Sequence, residues 1–560
     1  MSERILNWLA WLAALVCVAP IVAAGLAAFT GDFDTWRGLM NTVLPGYVAN
    51  TLMLVVLVGL GTAALGTGAA WLVTMYRFPG SRALEVLLVL PLAFPAYVLA
   101  YAYTYLLQHS GPVQSALRDV TGWGPRDYWF PEVRSLPGAA FMLICVLYPY
   151  VYLLARTAFA QQSVGAYFAA RTLGRGPWGA FWSVSLPMAR PAIVGGALLC
   201  VMETIADYGT VSHFSVQTFS TGIYQAWFSM GDRAAAAQLA LGLLAFALVL
   251  AILERIQRGQ ARAHTRGNRA EIYDAQPIGG LAGGLAAFFC FLPVFVGFLL
   301  PVIVLSRMAI DSGQSPFDGR YLRFVTNSLT LAGTAALVTV TAAILISFRV
   351  RTRPGRSSRA MVLGAGLGYA VPGGVIAVGI LVPLAALDNV LSDWLQSAFG
   401  RTPGLIFTGS IWVLVVAYMA RFMAAGLNTI EAGYASLSPN LDAVTRTLGR
   451  NPTGLLARVH LPILRRSILA AALIVFVDTM KELPATMIMR PFNFDTLAVQ
   501  AHRLAADERL HQAAVPSLVI VAIGLLPVFM VCRQLSRRAP GRPAPEPRSA
   551  GVAQPYAADG

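Results

Sequence analysis

Arg171-Thr172-Leu173-Gly174-Arg175 and, 275 positions later, Arg446-Thr447-Leu448-Gly449-Arg450 are one pentapeptide written twice. The register holds beyond it: Pro177 matches Pro452, Gly179 matches Gly454, Val184 matches Val459, Leu186-Pro187 matches Leu461-Pro462 and Arg190 matches Arg465. At the same offset Glu203 faces Asp478, Asp207 faces Glu482, Phe219 and Thr221 face Phe494 and Thr496, and Gln225 faces Gln500. Upstream, Asn50-Thr51-Leu52 against Asn327-Ser328-Leu329 differs by two positions in offset. Self-similarity on this scale means that the chain is a duplication.

What is duplicated is a membrane unit. The chain is 57% hydrophobic and 12% charged, with a mean hydropathy of +0.64, against about 25% charged residues in an ordinary soluble domain. Twelve apolar runs are long enough to cross a bilayer: 8–29, 49–75, 84–107, 137–160, 192–213, 235–254, 278–306, 325–348, 359–386, 404–426, 468–489 and 513–533. The expected fold is therefore all-α and polytopic, with two homologous six-span halves related by a pseudo-twofold axis along the membrane normal. The first half takes residues 1–260, a linker 261–277, the second half 278–535 and a disordered cytoplasmic tail 536–560. The first apolar run is too long for a signal-peptide core and reads as a retained span.

The formal charge of +15 lies in short clusters between spans instead of one face, which speaks against nucleic acid. Every second connection is arginine-rich, and that alternation places these connections and both termini in the cytoplasm, with lipid around the spans. Cys17, Cys145, Cys200, Cys290 and Cys532 lie in or at the ends of separate spans and form no C-x-x-C pair, so neither a zinc site nor a disulfide framework is indicated.

The repeated segments 163–187 and 438–462 each read as a bent elbow. Ser438 caps a helix that begins with Pro439, Leu441, Val444 and Leu448 follow at helical spacing, and Gly449 supplies a left-handed stop. Asn451 and Pro452 start a second short helix, which Leu461-Pro462 ends ahead of the next span. Ser163, Gly174, Pro177 and Leu186-Pro187 repeat the plan. Two such elbows on one face suit docking into a groove of another protein, with apolar anchors and an arginine rim. An amphipathic loop lying on lipid is the plainer alternative.

At these residues the chain resembles the inner-membrane permeases of type I ABC importers, whose signature loop reads EAA, three residues, Gly, nine residues, Ile-x-Leu-Pro. Gly174 with Val184, Leu186 and Pro187, and Gly449 with Val459, Leu461 and Pro462, keep that spacing. The leading glutamate is replaced by Phe168 and Ala443. The resemblance implies a coupling helix in each elbow, with Arg171, Gly174, Arg175, Leu186, Pro187, Arg446, Gly449, Arg450, Leu461 and Pro462 facing an ATPase, in two copies, and an extracytoplasmic substrate-binding protein as the second partner. Lys481 is the chain's only lysine and follows Met480, so no G-x-x-x-x-G-K-[ST] loop exists. ATP and magnesium belong to the partner, and this chain is expected to bind no cofactor and to catalyse no reaction.

Charges at membrane depth cost roughly 2.5–3.5 kcal/mol each on insertion scales and usually face water or the bundle interior. Glu203 with Asp207, and Asp478 with Glu482, stand four apart, which on a continuous helix puts each pair on one face. With Tyr208 and Lys481 they form the expected substrate path, transient and without a stable metal site. Local pairing of Asp478 with Lys481 is the alternative. Thr210 is expected at the interface and His213 at the surface. The stretches Glu203–Thr210 and Asp478–Thr486 resemble the fused ferric-iron uptake permeases of the bacterial inner membrane, and oxygen ligands suit a hard trivalent cation. Thiamine, polyamine and oxyanion permeases share the loop signature, and an ion-gradient-driven carrier would share the duplicated topology.

Overall fold

The structure is a computed structural model that describes residues 3–29, 33–160, 164–264, 275–315, 318–400, 405–435, 437–438, 440–447 and 451–537. Ser163, Pro439, Leu448, Gly449, Arg450, most of the linker and nearly all of the tail lie outside the described residues. Among those described, the chain is almost wholly helical. Eleven helices are long and apolar enough to span a bilayer, and one further pair, bent by 92°, makes the twelfth.

In chain order the spans are α1 Glu3–Ala27, α2 Leu44–Met75, α3 Ala96–Leu107, α4 Leu136–Ala160, α5 Pro177–Ala206 and α6 Arg233–His264. The second half supplies α7 Gly280–Asp311, α8 Gly319–Thr352, α9 Gly373–Phe399, α10 Ile411–Ala435, α11 Pro452–Met480 and α12 Leu510–Arg537. A two-residue parallel pairing of Tyr76–Arg77 with Gln276–Pro277 ties the start of the second half to the end of α2.

The sequence expected unbroken spans at 84–107 and 359–386, and the structure breaks both. A proline disfavours the helical conformation of the residue before it, and Phe94 before Pro95 and Val371 before Pro372 are extended. The short helix Ser81–Leu87 therefore approaches at an angle, Arg356–Gly366 stands as a separate short helix, and α3 and α9 start afresh after the prolines. Elsewhere proline is absorbed. Its ring would strike the carbonyl four residues back, yet α5, α7 and α11 run on through Pro187, Pro301 and Pro462. Immediately before each lies a π turn, at Phe181–Ser185, Phe295–Leu299 and Leu456–His460, in which the N–H bonds five residues back and the ring is accommodated. The expectation that Leu186-Pro187 and Leu461-Pro462 end a short helix is thus corrected: each elbow's second arm is the first part of a span.

Each half lends its first span to the other. Helix α1 packs on α8, α9 and α10, while α7 lies against α2, α3 and the helix Ser81–Leu87 of the first half as well as α12 of its own. Lipid supplies no hydrophobic drive between helices, so close association depends on small residues and shape. Ala10, Ala14, Cys17 and Ala24 form the buried stripe of α1, and a Cβ added at Gly379 would stand 2.0 Å from the Pro20 carbonyl oxygen. Gly379→Val should therefore unseat α1 and cost about 1–3 kcal/mol or more, read as a lowered Tm in detergent. Gly333→Ala, at a site with open space around it, should leave Tm level or slightly raised; equal effects of the two variants would contradict this packing.

Candidate functional site: two elbows and a charged central cavity

In the first elbow the helix Val164–Thr172 closes on a left-handed Gly174, φ +81°. Arg175 N–H bonds to the Ala170 carbonyl and Gly174 N–H to that of Arg171, the double bond of a Schellman stop. Arg171 Nη1 donates to the Arg175 carbonyl at 3.1 Å. Leu173 is 83% exposed, with Trp178 and Trp182 also exposed beside it. The second elbow follows the plan where it is described: Ser438 Oγ accepts from Asn440 N–H (3.3 Å), and Asn451 Oδ1 accepts from Gly454 N–H (2.8 Å). Arg446 lies in the helix Asn440–Thr447. Leu186-Pro187 and Leu461-Pro462 sit just past the π turns.

Beneath the elbows the two halves differ in chemistry. Trp71 stands edge-on to Phe159 (5.4 Å) and Tyr167 (5.9 Å) and packs against Phe181 (4.9 Å). The second half has Tyr434 in place of Phe159, Asp442 in place of Tyr167 and Phe348 in place of Trp71. There Arg351 Nε donates to Asp442 Oδ2 (2.8 Å), His460 Nε2 lies 3.0 Å from Asp442 Oδ1, and Tyr434 OH lies 3.2 Å from His460 Nδ1. Arg351 also donates to the Leu437 and Ser438 carbonyls. One arginine–aspartate–histidine clamp thus joins α8, α10, the elbow and the base of α11.

Between the halves lie two cavities, of about 430 and 160 Å³, which share Leu92, Tyr150, Tyr369, Asp478 and Lys481. The larger is lined on the elbow side by Val362, Asn428 and Val531 and reaches Gly524, half way along α12. The smaller gathers Glu203, Asp207, Asp478 and Glu482 with Lys481 and Arg421. The four carboxylates that the sequence singled out thus line one cavity, but not in the expected geometry. Helix α5 ends at Ala206 and α11 at Met480, so neither pair shares a helical face.

Asp207 and Glu482 instead cap the short helices that follow the breaks. Asp207 Oδ1 accepts from Thr210 N–H (3.0 Å) and Val211 N–H (3.2 Å), and Oδ2 from Thr210 Oγ1 (3.0 Å). Glu482 Oε1 accepts from Ala485 N–H (2.9 Å), and Oε2 from Thr486 N–H (3.1 Å) and Thr486 Oγ1 (2.8 Å). Glu203 and Asp478 keep more freedom. Tyr369 OH donates to Glu203 Oε1 at 3.3 Å, and Lys481 Nζ pairs with Asp478 Oδ1 at 3.0 Å.

On the side away from the elbows, aromatic side chains pack against one another. Tyr208 stacks on Tyr224 at 3.7 Å, and Tyr224 OH donates to the Pro484 carbonyl. Tyr97 OH reaches the Lys481 carbonyl at 3.4 Å, and Tyr101 OH lies 3.1 Å from His502 Nδ1. His213, expected at the surface, is only 9% exposed; it lies 3.0 Å from Thr104 Oγ1 and edge-on to Tyr101. Its burial follows from the early end of α5, which turns the chain back into the bundle. Thr210 is buried as the partner of Asp207.

The repeat register beyond the breaks also needs correction. Asn50 donates to the Gln217 carbonyl and Asn327 to that of Asp495; Phe219 N–H bonds to Thr51 Oγ1 and Leu497 N–H to Ser328 Oγ. Thr218 and Thr496 each cap the helix that follows. Phe219 is thus equivalent to Leu497, not Phe494, because the segment after Glu482 is three residues longer than that after Asp207. Sequence reasoning missed Arg421, Tyr150 and Tyr369. Arg421 carried a usable signal, a lone cation within the tenth apolar run.

Residues 62–263, one half of the duplication with its elbow, match the family described as "Binding-protein-dependent transport system inner membrane component". That half of the chain is similar to the binding-protein-dependent transport permeases. The Fe(3+)-transport system permease protein FbpB 2 of Haemophilus influenzae is 27% identical over 86% of this chain and 89% of its own length. The probable ABC transporter permease protein y4fN of Sinorhizobium fredii is 24% identical over 95% of this chain and 97% of its own. The molybdenum transport system permease protein ModB of Escherichia coli is 28% identical over 34% of this chain and 85% of its own length. The family's description is that of an inner-membrane component of binding-protein-dependent transport.

The clamp should make the second elbow more sensitive to acid than the aromatic first. Burial alone would raise the Asp442 carboxyl, but the hydrogen bonds and charges of Arg351 and His460 outweigh it and hold it below the usual carboxylate range. A depressed carboxylate contributes stability that is present above its unfolded value, about 4, and is lost as pH falls through the lower folded one. Asp442→Asn should cost about 1.5–3 kcal/mol near neutrality, flatten the acid limb of Tm against pH, and raise proteolysis at 440–447. Phe159→Ala in the first elbow should cost about 3–5 kcal/mol with no change in that limb. An acid limb untouched by Asp442→Asn would contradict the assignment.

Proposed function

We propose that this permease carries ferric iron inward by alternating access, driven by two copies of an ATPase, one on each elbow. The observation that carries the reading is the continuity of α5 and α11, each running unbroken from an elbow to the carboxylates of the central cavity. A helix of about 30 residues spans about 45 Å, so a push at Gly174 or Gly449 is felt at Glu203 or Asp478. The exposed apolar residues of the elbows, with Arg171, Arg175, Arg446 and Arg450, form the docking surface; the elbow side is cytoplasmic and holds both termini. The binding protein delivers its load at the opposite side, where the tyrosine and histidine layer is the closed outer gate. ATP and magnesium stay with the ATPase, and this chain binds no cofactor of its own.

Iron as the cargo rests on the cavity's oxygen-rich lining, which suits a hard cation, and on the naming as ferric permeases of relatives matched over 84–86% of this chain. Stable coordination would oppose release, so the contacts are transient. Asp207 and Glu482 serve the path by holding its shape, and Tyr208 by closing its outer end. Arg421 and Lys481 favour an oxyanion as the second reading, which the partial match to the molybdenum permease supports.

Deleting the gene should remove high-affinity uptake of radiolabelled iron and leave molybdate and sulfate uptake intact. Glu203→Ala and Asp478→Ala should each lower iron uptake about tenfold or more, the penalty of removing a charge contact in a low-dielectric site. Gly174→Pro, which forbids the left-handed stop, should abolish uptake while the protein still inserts and binds its ATPase. Iron entry unchanged by the deletion would refute the cargo, and loss of molybdate uptake instead would establish the second reading.

A further inference from the structure

The central cavity holds one ammonium group, and it belongs to the only lysine in the chain. Lys481 follows the last residue of α11 and reaches back to Asp478, three residues earlier, at 3.0 Å. Both side chains are partly open to the cavity, at 30% and 28% exposure. In the first half Ala206 takes the place of Lys481 and Glu203 that of Asp478, so the device exists on one side of the pseudo-twofold only. Asp207 and Glu482 already accept three hydrogen bonds each at their caps. Glu203 and Asp478 are therefore the carboxylates with capacity for a passing ion, and Asp478 meets a resident cation first.

A path must attract its ion and then release it. Two carboxylates in a site of low dielectric hold a multivalent cation tightly, since charge pairs there interact several times more strongly than in water. A tethered ammonium on one of them changes the balance. It is displaced when the cargo enters and returns to Asp478 as the cargo leaves, so the departing ion never leaves a bare carboxylate behind. We propose that Lys481 is a built-in counter-ion that competes with the cargo cation for Asp478 and thereby sets the rate of release toward the elbow side. This rests on the reading of the cargo as a cation.

The test uses the permease assembled with its ATPase in lipid, loaded with radiolabelled ferric iron delivered by its binding protein. Lys481→Met removes the charge, and Lys481→Gln removes it while keeping a hydrogen-bond donor for Asp478 and hence the local fold. Both should retain about tenfold more label after gel filtration and take up iron about tenfold more slowly, with ATPase binding unchanged. Lys481→Arg should transport near the wild-type rate, and adding Asp478→Asn to Lys481→Gln should remove the extra retention. Wild-type retention and rate in Lys481→Gln would overturn the proposal, as would joint loss of retention and uptake, which would make the lysine a cargo ligand. If the wild-type chain moves no iron, the cargo assignment fails and this inference with it; if it does and Lys481→Gln is unaltered, the inference alone fails.

Discussion

A helix that stops inside a bilayer exposes backbone N–H and C=O groups where there is no water to receive them, and each unmet group costs several kcal/mol. This chain stops two helices inside its bundle, where the same constraint applies, α5 at Ala206 and α11 at Met480. Asp207 and Glu482 make those stops tolerable. Each places one carboxylate across the first N–H groups of the next short helix, and a threonine hydroxyl completes the bond set. Because the breaks are satisfied locally, they occur at a fixed height, and Glu203, Asp478 and Lys481 are held there beside a cavity.

The other ends of the same helices are treated in the opposite way. Pro187 and Pro462 would ordinarily kink or end a helix, yet a π turn before each lets the backbone continue. One helix is therefore continuous where it leaves the elbow and broken where it reaches the central cavity. That pairing gives a lever with a defined tip. Exchange of α1 and α7 between the halves adds a second constraint, since neither half can rotate without moving a span that belongs to the other.

Much of this was legible in the residues. The repeated pentapeptide announced the duplication, Gly174 announced the first elbow's stop and Asn451 the start of the second elbow's next helix, and charges in apolar runs announced the cavity lining. Three things were not. Composition could not show where α5 and α11 end, because Glu203 to Thr210 reads equally as helix or as a capped break, and only the partners of Asp207 decide. The π turns were invisible because proline's usual effect is to end a helix. The repeat register slipped past Glu482 because a three-residue insertion followed by a chance Phe and Thr match kept the old offset plausible. Arg421 could have been found by the rule that found Lys481.

The central claim is that closing the elbows moves the tips of α5 and α11 and turns the cavity outward. It is tested most directly by measuring, in the full transporter in lipid, the distance between spin labels at Leu173 and Val444 together with the reactivity of a cysteine placed at Met202. On trapping the ATP-bound state, the account predicts a shorter distance and loss of labelling from the elbow side, with labelling gained from the opposite side. Elbows that close while residue 202 stays open to the elbow side would contradict it.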